Sequence, residues 1–393
     1  MCYAIPGKVV EINDKVVTVE YFDERKKTRN DFYQDLAVGE YIYAQGGFVV
    51  QRIAEDEAAH ILKTWQELFV KLKEVDLRLT REPKGLHQIA NATRQRSLGN
   101  SCCIHGIIEF SNYCQSNCLY CGIRKDNQTL FRYRMDVDEI VEACEYAVKE
   151  LKFKALVLQS GEDLWYTEEK LVSIVEKVMQ KCPVLLILSI GEREIELYKK
   201  LYNAGARGAL VRFETSNQKL YQKYRPGHTL EERLSLIKEL QKIGYLVFTG
   251  FLLGLPGQTE QDILNDIELT QSLRPEMFSF GPLIPHPDTP LKDTPQMPLE
   301  AVLNTIARAR ILHPDSRILV TTALETLDKE EGARAGFLSG ANSLMVNLTP
   351  KKYRSLYEIY PERAGTELDT KERIEKVLQL LTSIGRAPTD LGM

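Results

Sequence analysis

The chain has 393 residues, 44% of them hydrophobic and 27% charged, which is enough apolar material for one large domain and one small one. Its net charge of −4, with the basic residues scattered, leaves no footprint for nucleic acid or an anionic membrane surface. No stretch approaches the ~18 apolar residues of a membrane span, no basic-then-apolar leader opens the chain, and the cysteines form no disulfide pattern. A cytoplasmic protein is expected, with no nucleic-acid and no membrane partner.

From Gly7 to Ile53 the short segments KVVEI, KVVTVEYF, KTRNDFYQ and YIYAQGGFVVQRI, separated by turn residues, predict a small all-β, OB-like barrel of about five strands. Between Asp56 and Leu79 the period turns helical, with Ala59, Ile61, Leu62, Trp65, Leu68, Phe69, Leu72 and Val75 along one face, so a helix closes the small domain. The chain starts Met1-Cys2-Tyr3-Ala4-Ile5-Pro6-Gly7, and residues 1–75 resemble the HypC/HupF chaperones of NiFe-hydrogenase maturation. The resemblance implies that Cys2 is a metal ligand or contact, for an iron carrying cyanide and carbon monoxide. That family tends to have a histidine in the strand before Gly-Phe, where Gln45 stands here. Residues 76–100, with the segment LHQIANATRQRSL after Pro83, read as a helical linker to a second domain spanning 101–393.

In that second domain strand-like and helix-like runs alternate. Apolar runs at Cys103–Phe110, Ala155–Gln159, Val184–Ile190, Gly208–Phe213, Tyr245–Leu253, Met277–Leu283, Arg317–Thr321 and Ser343–Asn347 make eight, with amphipathic stretches between them. Eight βα units predict a TIM-type (βα)8 barrel, whose active site sits at the C-terminal ends of the strands. The polar residues that end each run are therefore candidates: Gln159, Ser160, Gly161, Glu162 and Asp163, then Ser189 and Glu192, then Arg212, Glu214 and Thr215, with His286, Asp288, Thr321, Thr322 and Asn347 further on.

Run one leads into SNYCQSNCLYCGIR, in which Cys114, Cys118 and Cys121 are separated by three and then two residues. The usual zinc spacings carry a second CxxC, and none accompanies this one. An iron–sulfur cluster held by three thiolates rather than four keeps one iron open to a small ligand. The alternatives are a zinc knuckle or three unrelated thiols. Cys144 and Cys182, in helix-like segments, read as plain buried thiols. The three-cysteine spacing resembles that of the radical S-adenosylmethionine (SAM) enzymes, which implies one 4Fe-4S cluster and SAM as cofactors, with the three cysteines as catalytic cluster ligands.

Over about Ile104 to Arg363, the stretches CLYCGIR, LQSGED, GLPGQT, GPLIPHPDTPL, TTAL, NLTP and YEIYP resemble the HydE maturases of FeFe-hydrogenase, in the biotin-synthase-like branch. The resemblance implies that Gly161 and Glu162 bind the SAM amino group, with Gln159, Ser160 and Ser189 on the pocket wall. It implies that Tyr120 contacts the adenine, and that Arg212, Glu214 and Arg233 hold the carboxylate and ribose. The alternative for Arg233 is a solvated helix residue paired with a neighbouring glutamate. The chain departs from that family at His105, Phe213, Glu325, Val346 and Leu348, places expected on the cavity wall, and no cysteine after Cys182 is left for a second cluster. The leading functional expectation is a radical SAM maturase acting on an iron–cyanide–carbonyl precursor of a hydrogenase cofactor. A ferredoxin or flavodoxin would supply electrons, and other maturation proteins would be partners. The alternatives are a methylornithine-synthase-like paralogue acting on a small organic substrate, and a metallochaperone with a non-catalytic barrel.

Overall fold

Two closed barrels and one two-stranded ribbon make up the sheets of the residues described by the computed structural model, 5–22 and 24–389. Cys2, with the metal role expected of it, lies outside the described residues. The first barrel joins β1 (Gly7–Asn13), β2 (Val16–Tyr21), β3 (Glu24–Arg29), β4 (Tyr41–Gln45) and β5 (Phe48–Ile53) in the order β1-β2-β3-β5-β4. The expected strand KTRNDFYQ stops at Arg29, because the Asn30 carboxamide accepts from the Tyr33 amide at 3.0 Å and turns the chain. Gly46 and Gly47 join β4 to β5 at φ 56° and 76°, the conformation a two-residue hairpin asks of both its central residues.

The long helix α1 (Glu55–Leu79) buries Trp65 against this barrel, with Ile61, Leu62 and Phe69 packed beside it, and acidic residues fill its first turn, where the helix dipole favours them. Its last turns leave the small barrel. Asp76, fully buried, takes both terminal nitrogens of Arg94 at 2.7 and 2.6 Å and lies 3.4 Å from Arg386. Arg94 belongs to α2 (Leu86–Leu98) and Arg386 follows the last helix, so this carboxylate ties three distant segments together. Arg310 is buried beside them, and burial with two neighbouring cations pushes its guanidinium down.

The second barrel is all parallel and eight-stranded. Its strands are β6 (Cys103–Ser111), β7 (Ala155–Ser160), β8 (Leu185–Ser189), β9 (Gly208–Leu210), β10 (Leu246–Thr249), β12 (Met277–Phe278), β14 (Arg317–Val320) and β15 (Ser343–Asn347), closed by pairing of β15 with β6. The runs expected at Tyr245–Leu253 and Met277–Leu283 each break in two. A side chain at Gly250 would lie 2.2 Å from the Ser279 carbonyl, so the chains cross closely there, and β11 (Leu252–Leu253) and β13 (Gly281–Pro282) pair as a separate ribbon above the barrel. Around the barrel run α3 (Val137–Lys149), α4 (Glu168–Lys181), α5 (Ile195–Ala204), α6 (Gln218–Tyr224), α7 (Leu230–Ile243), α8 (Glu260–Ser272), α9 (Leu299–Leu312), α10 (Thr322–Leu327), α11 (Gly332–Leu338), α12 (Lys351–Arg354) and α13 (Thr370–Ser383). None of the described helices is long and apolar enough to cross a membrane.

Strand alternation sorts the side chains. Ile107, Val157, Ile187, Phe248, Met277 and Leu319 fill the barrel interior as one cluster, while Ile104, Ile108, Leu156, Leu158 and Leu186 face the helices in another. The interior cluster also contains Tyr43, Phe48 and Val50 of the small barrel. The small barrel therefore stoppers the N-terminal end of the large one, the hairpin tip at Gly46 pressing on Leu185 and Leu246. Each apolar side chain buried this way contributes about 1.5–3 kcal/mol. Two polar contacts flank the stopper: Lys154 donates to Gln51 at 2.5 Å and Arg207 to Asp31 at 2.9 Å. The opposite end of the barrel is left open.

Candidate active site

At that open end the residues after β6 leave the sheet as an irregular loop, and its shape is fixed by one guanidinium. Arg132 donates to the carbonyls of Asn112, Ile123, Arg124 and Asn127, the last three at 2.8, 2.7 and 3.0 Å. The loop's backbone is also pinned from outside, Leu119 to Tyr224 at 2.9 Å and Gly122 to Ile359 at 2.8 Å. Cys114, Cys118 and Cys121, presented by this loop, line a single cavity of about 270 Å³. Gln159, Ser160, Gly161, Glu162, Ser189, Arg212, Glu214, Arg233 and Tyr120 line the same cavity, so the strand ends, helix α7 and the cysteine loop together bring every expected cofactor-binding residue to the three thiols.

Burial dominates the thiols' protonation. It pushes Cys114 up to about 11 and raises Cys118 and Cys121 as well, with Arg225 pulling Cys118 back. Thiols this buried give up their protons to a metal rather than to water. Among the described residues no three His, Cys, Asp or Glu side chains converge as the ligand set of one ion. Three thiols spaced around one cavity suit a multi-iron group instead, since each thiolate takes its own iron.

Gly161 and Gly191 are where backbone must approach this site closely. A side chain at Gly161 would stand 2.1 Å from the Tyr113 carbonyl and 2.8 Å from the Cys114 Cβ, and one at Gly191 would overlap Glu162. The closeness lets the Glu162 amide donate to Cys114 Sγ at 3.4 Å. Glu162 is itself more engaged than the sequence implied. Its carboxylate accepts from Ser116 Oγ at 2.5 Å and from the Glu192 amide at 3.2 Å, with Arg225 at 3.7 Å and Arg233 at 3.9 Å. Burial would raise its carboxyl, but Ser116, the two arginines and the amide together hold it below the usual range.

Arg233 is buried at 3% exposure and bonds Glu192 at 2.8 Å, which removes the solvated-helix alternative; its neighbour Glu232 caps the helix at Thr229 instead. The circuit closes through residues the sequence did not single out as partners. Glu192 lies 2.7 Å from His228 Nδ1, and His228 Nε2 lies 3.2 Å from Ser116 Oγ, inside the cysteine loop. Arg225 is the second missed residue; it sits in the loop after α6, where no periodicity marks it. Across the cavity Arg212 donates to the Phe251 carbonyl at 2.6 Å and pairs with Glu214 at 3.0 Å. Glu214 holds φ 65°, a conformation costing a non-glycine residue about 1–3 kcal/mol, and such strain gathers at functional sites. Tyr357, Ile359 and Tyr360 wall the mouth, and Arg363 fastens their segment by pairing with fully buried Glu109, at 3.1 Å from one carboxylate oxygen.

The other expected positions do not reach the cavity wall. Phe213, Val346 and Leu348 pack among the helices because strand alternation turns them outward. Glu325 is buried in an ion pair with Arg373, and burial raises its carboxyl. Thr321 caps α10, His286 and Asp288 close a turn of their own, and Asn347 donates to Glu109 at 2.9 Å. His105 lies at the far, stoppered end.

Comparison with known proteins agrees with this geometry. The Radical SAM superfamily model matches residues 108–270, the HupF/HypC family model residues 1–65, and the Biotin and Thiamin Synthesis associated domain residues 279–387. The protein is thus an enzyme of the radical SAM superfamily on a TIM-type barrel, which implies a 4Fe-4S cluster and SAM. The [FeFe] hydrogenase maturase subunit HydE of Thermotoga maritima is 40% identical over 305 residues, covering 78% of this chain and 87% of that protein. The chain belongs to the HydE family. A 3-methylornithine synthase of Methanosarcina acetivorans is 27% identical over 312 residues, 78% of this chain and 86% of that one. The crystal structure of methylornithine synthase (PylB) shares the fold, with a TM-score of 0.69 at 23% identity over 82% of this chain and 97% of that one.

Proposed function

We propose that the chain is a hydrogenase-cofactor maturase that binds a 4Fe-4S cluster on Cys114, Cys118 and Cys121, takes SAM in the adjoining cavity, and acts on an iron–cyanide–carbonyl precursor. The observation that carries it is the meeting of three spaced thiols with Glu162, Arg212, Glu214, Arg225 and Arg233 around one 270 Å³ cavity. When bound, the reduced cluster and SAM supply a 5′-deoxyadenosyl radical, and the difficult chemistry is theirs.

The chain's own residues bind, orient and exclude water. Arg132 keeps the three thiols at fixed separations before any cluster arrives. Gly161 lets the Tyr113 carbonyl and Cys114 pack directly against the end of β7, setting Cys114 beside the Glu162 amide, while the Glu162 carboxylate acts chiefly by fixing Arg225 and Arg233 and tying Ser116 to them. Arg212 and Glu214 offer a guanidinium and a carboxylate to SAM's polar ends, and Tyr120 a ring face to its base. Tyr357, Ile359 and Tyr360 keep the mouth dry. The front barrel, through Cys2, is the carrier of the iron precursor, and a ferredoxin or flavodoxin in the cytoplasm supplies the electron.

The test is whether an iron–cyanide–carbonyl compound accelerates 5′-deoxyadenosine formation by the reduced, reconstituted protein. Acceleration by that compound alone supports the reading. A second reading, favoured by the 27% identity to a methylornithine synthase over most of the chain, is action on a small amino acid. Acceleration by basic amino acids and not by the iron compound would select it.

A further inference from the structure

Helix α8 runs outside the large barrel, yet one of its carboxylates is buried behind the wall of the cysteine cavity. Asp266 is fully shut from solvent. Its Oδ1 accepts from the Ser216 amide and has the Thr215 hydroxyl at 3.5 Å, while Oδ2 accepts from Gln258 Nε2 at 3.1 Å. Thr215 and Ser216 directly follow Glu214, the strained residue of the cavity wall. Gln258 serves a second wall segment: its Oε1 accepts from the Gly254 amide at 2.8 Å and its Nε2 donates to the Leu252 carbonyl at 3.0 Å. Leu252, in β11, lines the cavity and packs with Tyr224 and Leu255 in an apolar cluster that Tyr120 lies against. The Leu252 amide donates to the Glu214 carbonyl at 2.8 Å, so the two segments meet, and Asp266 is tied to both.

We propose that Asp266 is a positioning residue for the nucleoside half of SAM: from behind the wall its carboxylate clamps the Glu214 turn to β11, and only the ionised form can do so. The nucleoside role rests on the reading that SAM occupies this cavity; the clamp itself does not. Hydrogen-bond counting carries the inference. A carboxylate only accepts, and each group facing Asp266 donates. Thr215 Oγ1 already accepts from the Asn217 amide at 3.2 Å, which leaves its own proton for Asp266. Gln258 cannot turn its carboxamide over, because its oxygen would then face the Leu252 carbonyl and its nitrogen the Gly254 amide. A proton on Oδ2 would therefore point at the Gln258 N–H and break the link to β11. One on Oδ1 would point at the Ser216 amide and free the Glu214 turn.

The charge is kept there against its surroundings. Burial raises the carboxyl to about 6, the Ser216 and Gln258 donors oppose the rise, and Asp262, one turn earlier on α8, adds to it. The Glu214 turn brings Arg212 and Glu214, already paired with each other at 3.0 Å, and the segment from β11 to Gln258 brings no titratable side chain. Because the folded carboxyl stands above its ordinary value of 3.8, the stability it lends is full below that value and lost as the pH rises through about 6. Ionising Asp266 thus costs the fold, and what it secures is the shape of the cavity. The clamp is closed above about 6 and released below it.

The experiment uses the full chain, anaerobic and with its cluster reconstituted, and two probes, SAM and 5′-deoxyadenosine, titrated by calorimetry across a range of pH. Wild type should bind both with an affinity that is level above about 6 and falls about 10-fold per pH unit below it. Asp266→Asn offers one acceptor where the carboxylate offers two. It should keep the cluster's iron, the control for folding, bind both probes about 10-fold more weakly at neutral pH, and show no step near 6. In the ligand-free chains, hydrogen exchange at the Ser216, Leu252 and Gly254 amides should quicken in that variant and stay unchanged in β6, β7 and β8. A wild-type profile without the step, or the same step in Asp266→Asn, would overturn the positioning role, and the wild-type profile decides alone if the variant loses its iron. Unchanged exchange at those three amides would overturn the clamp. Quickened exchange in a protein that binds neither probe at any pH would uphold the clamp and sink the SAM reading of the cavity, and the nucleoside role with it.

Discussion

The two ends of the large barrel are built from the same eight strands and solve opposite problems. The N-terminal end is closed by packing: Tyr43, Phe48 and Val50 of the small barrel continue the apolar interior, and one buried carboxylate, Asp76, sits between Arg94 and Arg386. The C-terminal end is held open by charge: Glu162, Glu192, Arg225 and Arg233 satisfy one another around a cavity that no apolar plug fills. The difference shows where stability and function are kept apart. The stoppered end carries close packing, while the open end carries strain at Glu214 and several desolvated charges, which packing elsewhere must offset.

The largest expected effect is at the open end. Cys114→Ala, Cys118→Ala or Cys121→Ala should each abolish the cluster's visible absorption and iron content, since each removes one of three anchors. Cys144→Ala and Cys182→Ala should leave both intact; a cluster that survives loss of Cys118 would break the assignment.

Next comes the stoppered end. Asp76→Ala strips the counter-charge from Arg94 and Arg386 and should destabilise the chain by about 3–5 kcal/mol, read as a lower midpoint in denaturant. By the same reasoning a chain cut near Lys84 is not a simple domain excision, because it removes Asp76 and the apolar stopper together. Unchanged stability on either change would make the two barrels independent.

Glu162→Gln should leave the cluster assembled and weaken SAM binding by about 10–100-fold, the worth of charge-assisted hydrogen bonds, measured by calorimetry. Because the folded carboxyl is depressed below its ordinary value of 4.5, its stabilising contribution is present above that value and lost as the pH falls through the folded value. SAM affinity should therefore be insensitive to this group near neutrality and fall only in acid. Smallest is Glu214→Gly, which should relieve backbone strain, raising stability by up to about 1 kcal/mol, while lowering SAM affinity. Stability and affinity falling together would deny that the strain serves the site.

Much of this was legible in residue patterns. The strand runs and the three cysteines are periodic or closely spaced, so the barrel and the rim residues Gln159, Glu162, Ser189, Arg212 and Glu214 could be located from position alone. Gly250 cut one expected strand because a close backbone crossing leaves no mark on hydrophobicity. Arg225 and His228 carry no mark because their loop has no period, and Ser116 carries none because it stands between two cysteines without a spacing of its own. Asp76 stands off the apolar face of α1 in the sequence, and only the docking of α1 against α2 and the C-terminal segment buries it. The same parity that put Glu109 and Gln159 inside turned Phe213, Val346 and Leu348 away from the cavity, where family likeness alone had placed them.

We read the open end as one working site for cluster and SAM. Its most direct test is the yield of 5′-deoxyadenosine from SAM when the anaerobically reconstituted full chain is reduced with a strong reductant. Wild type should form it catalytically or at least stoichiometrically with the cluster, and Cys118→Ala should form none. Intact SAM after reduction of a chain carrying its full complement of iron would contradict the claim.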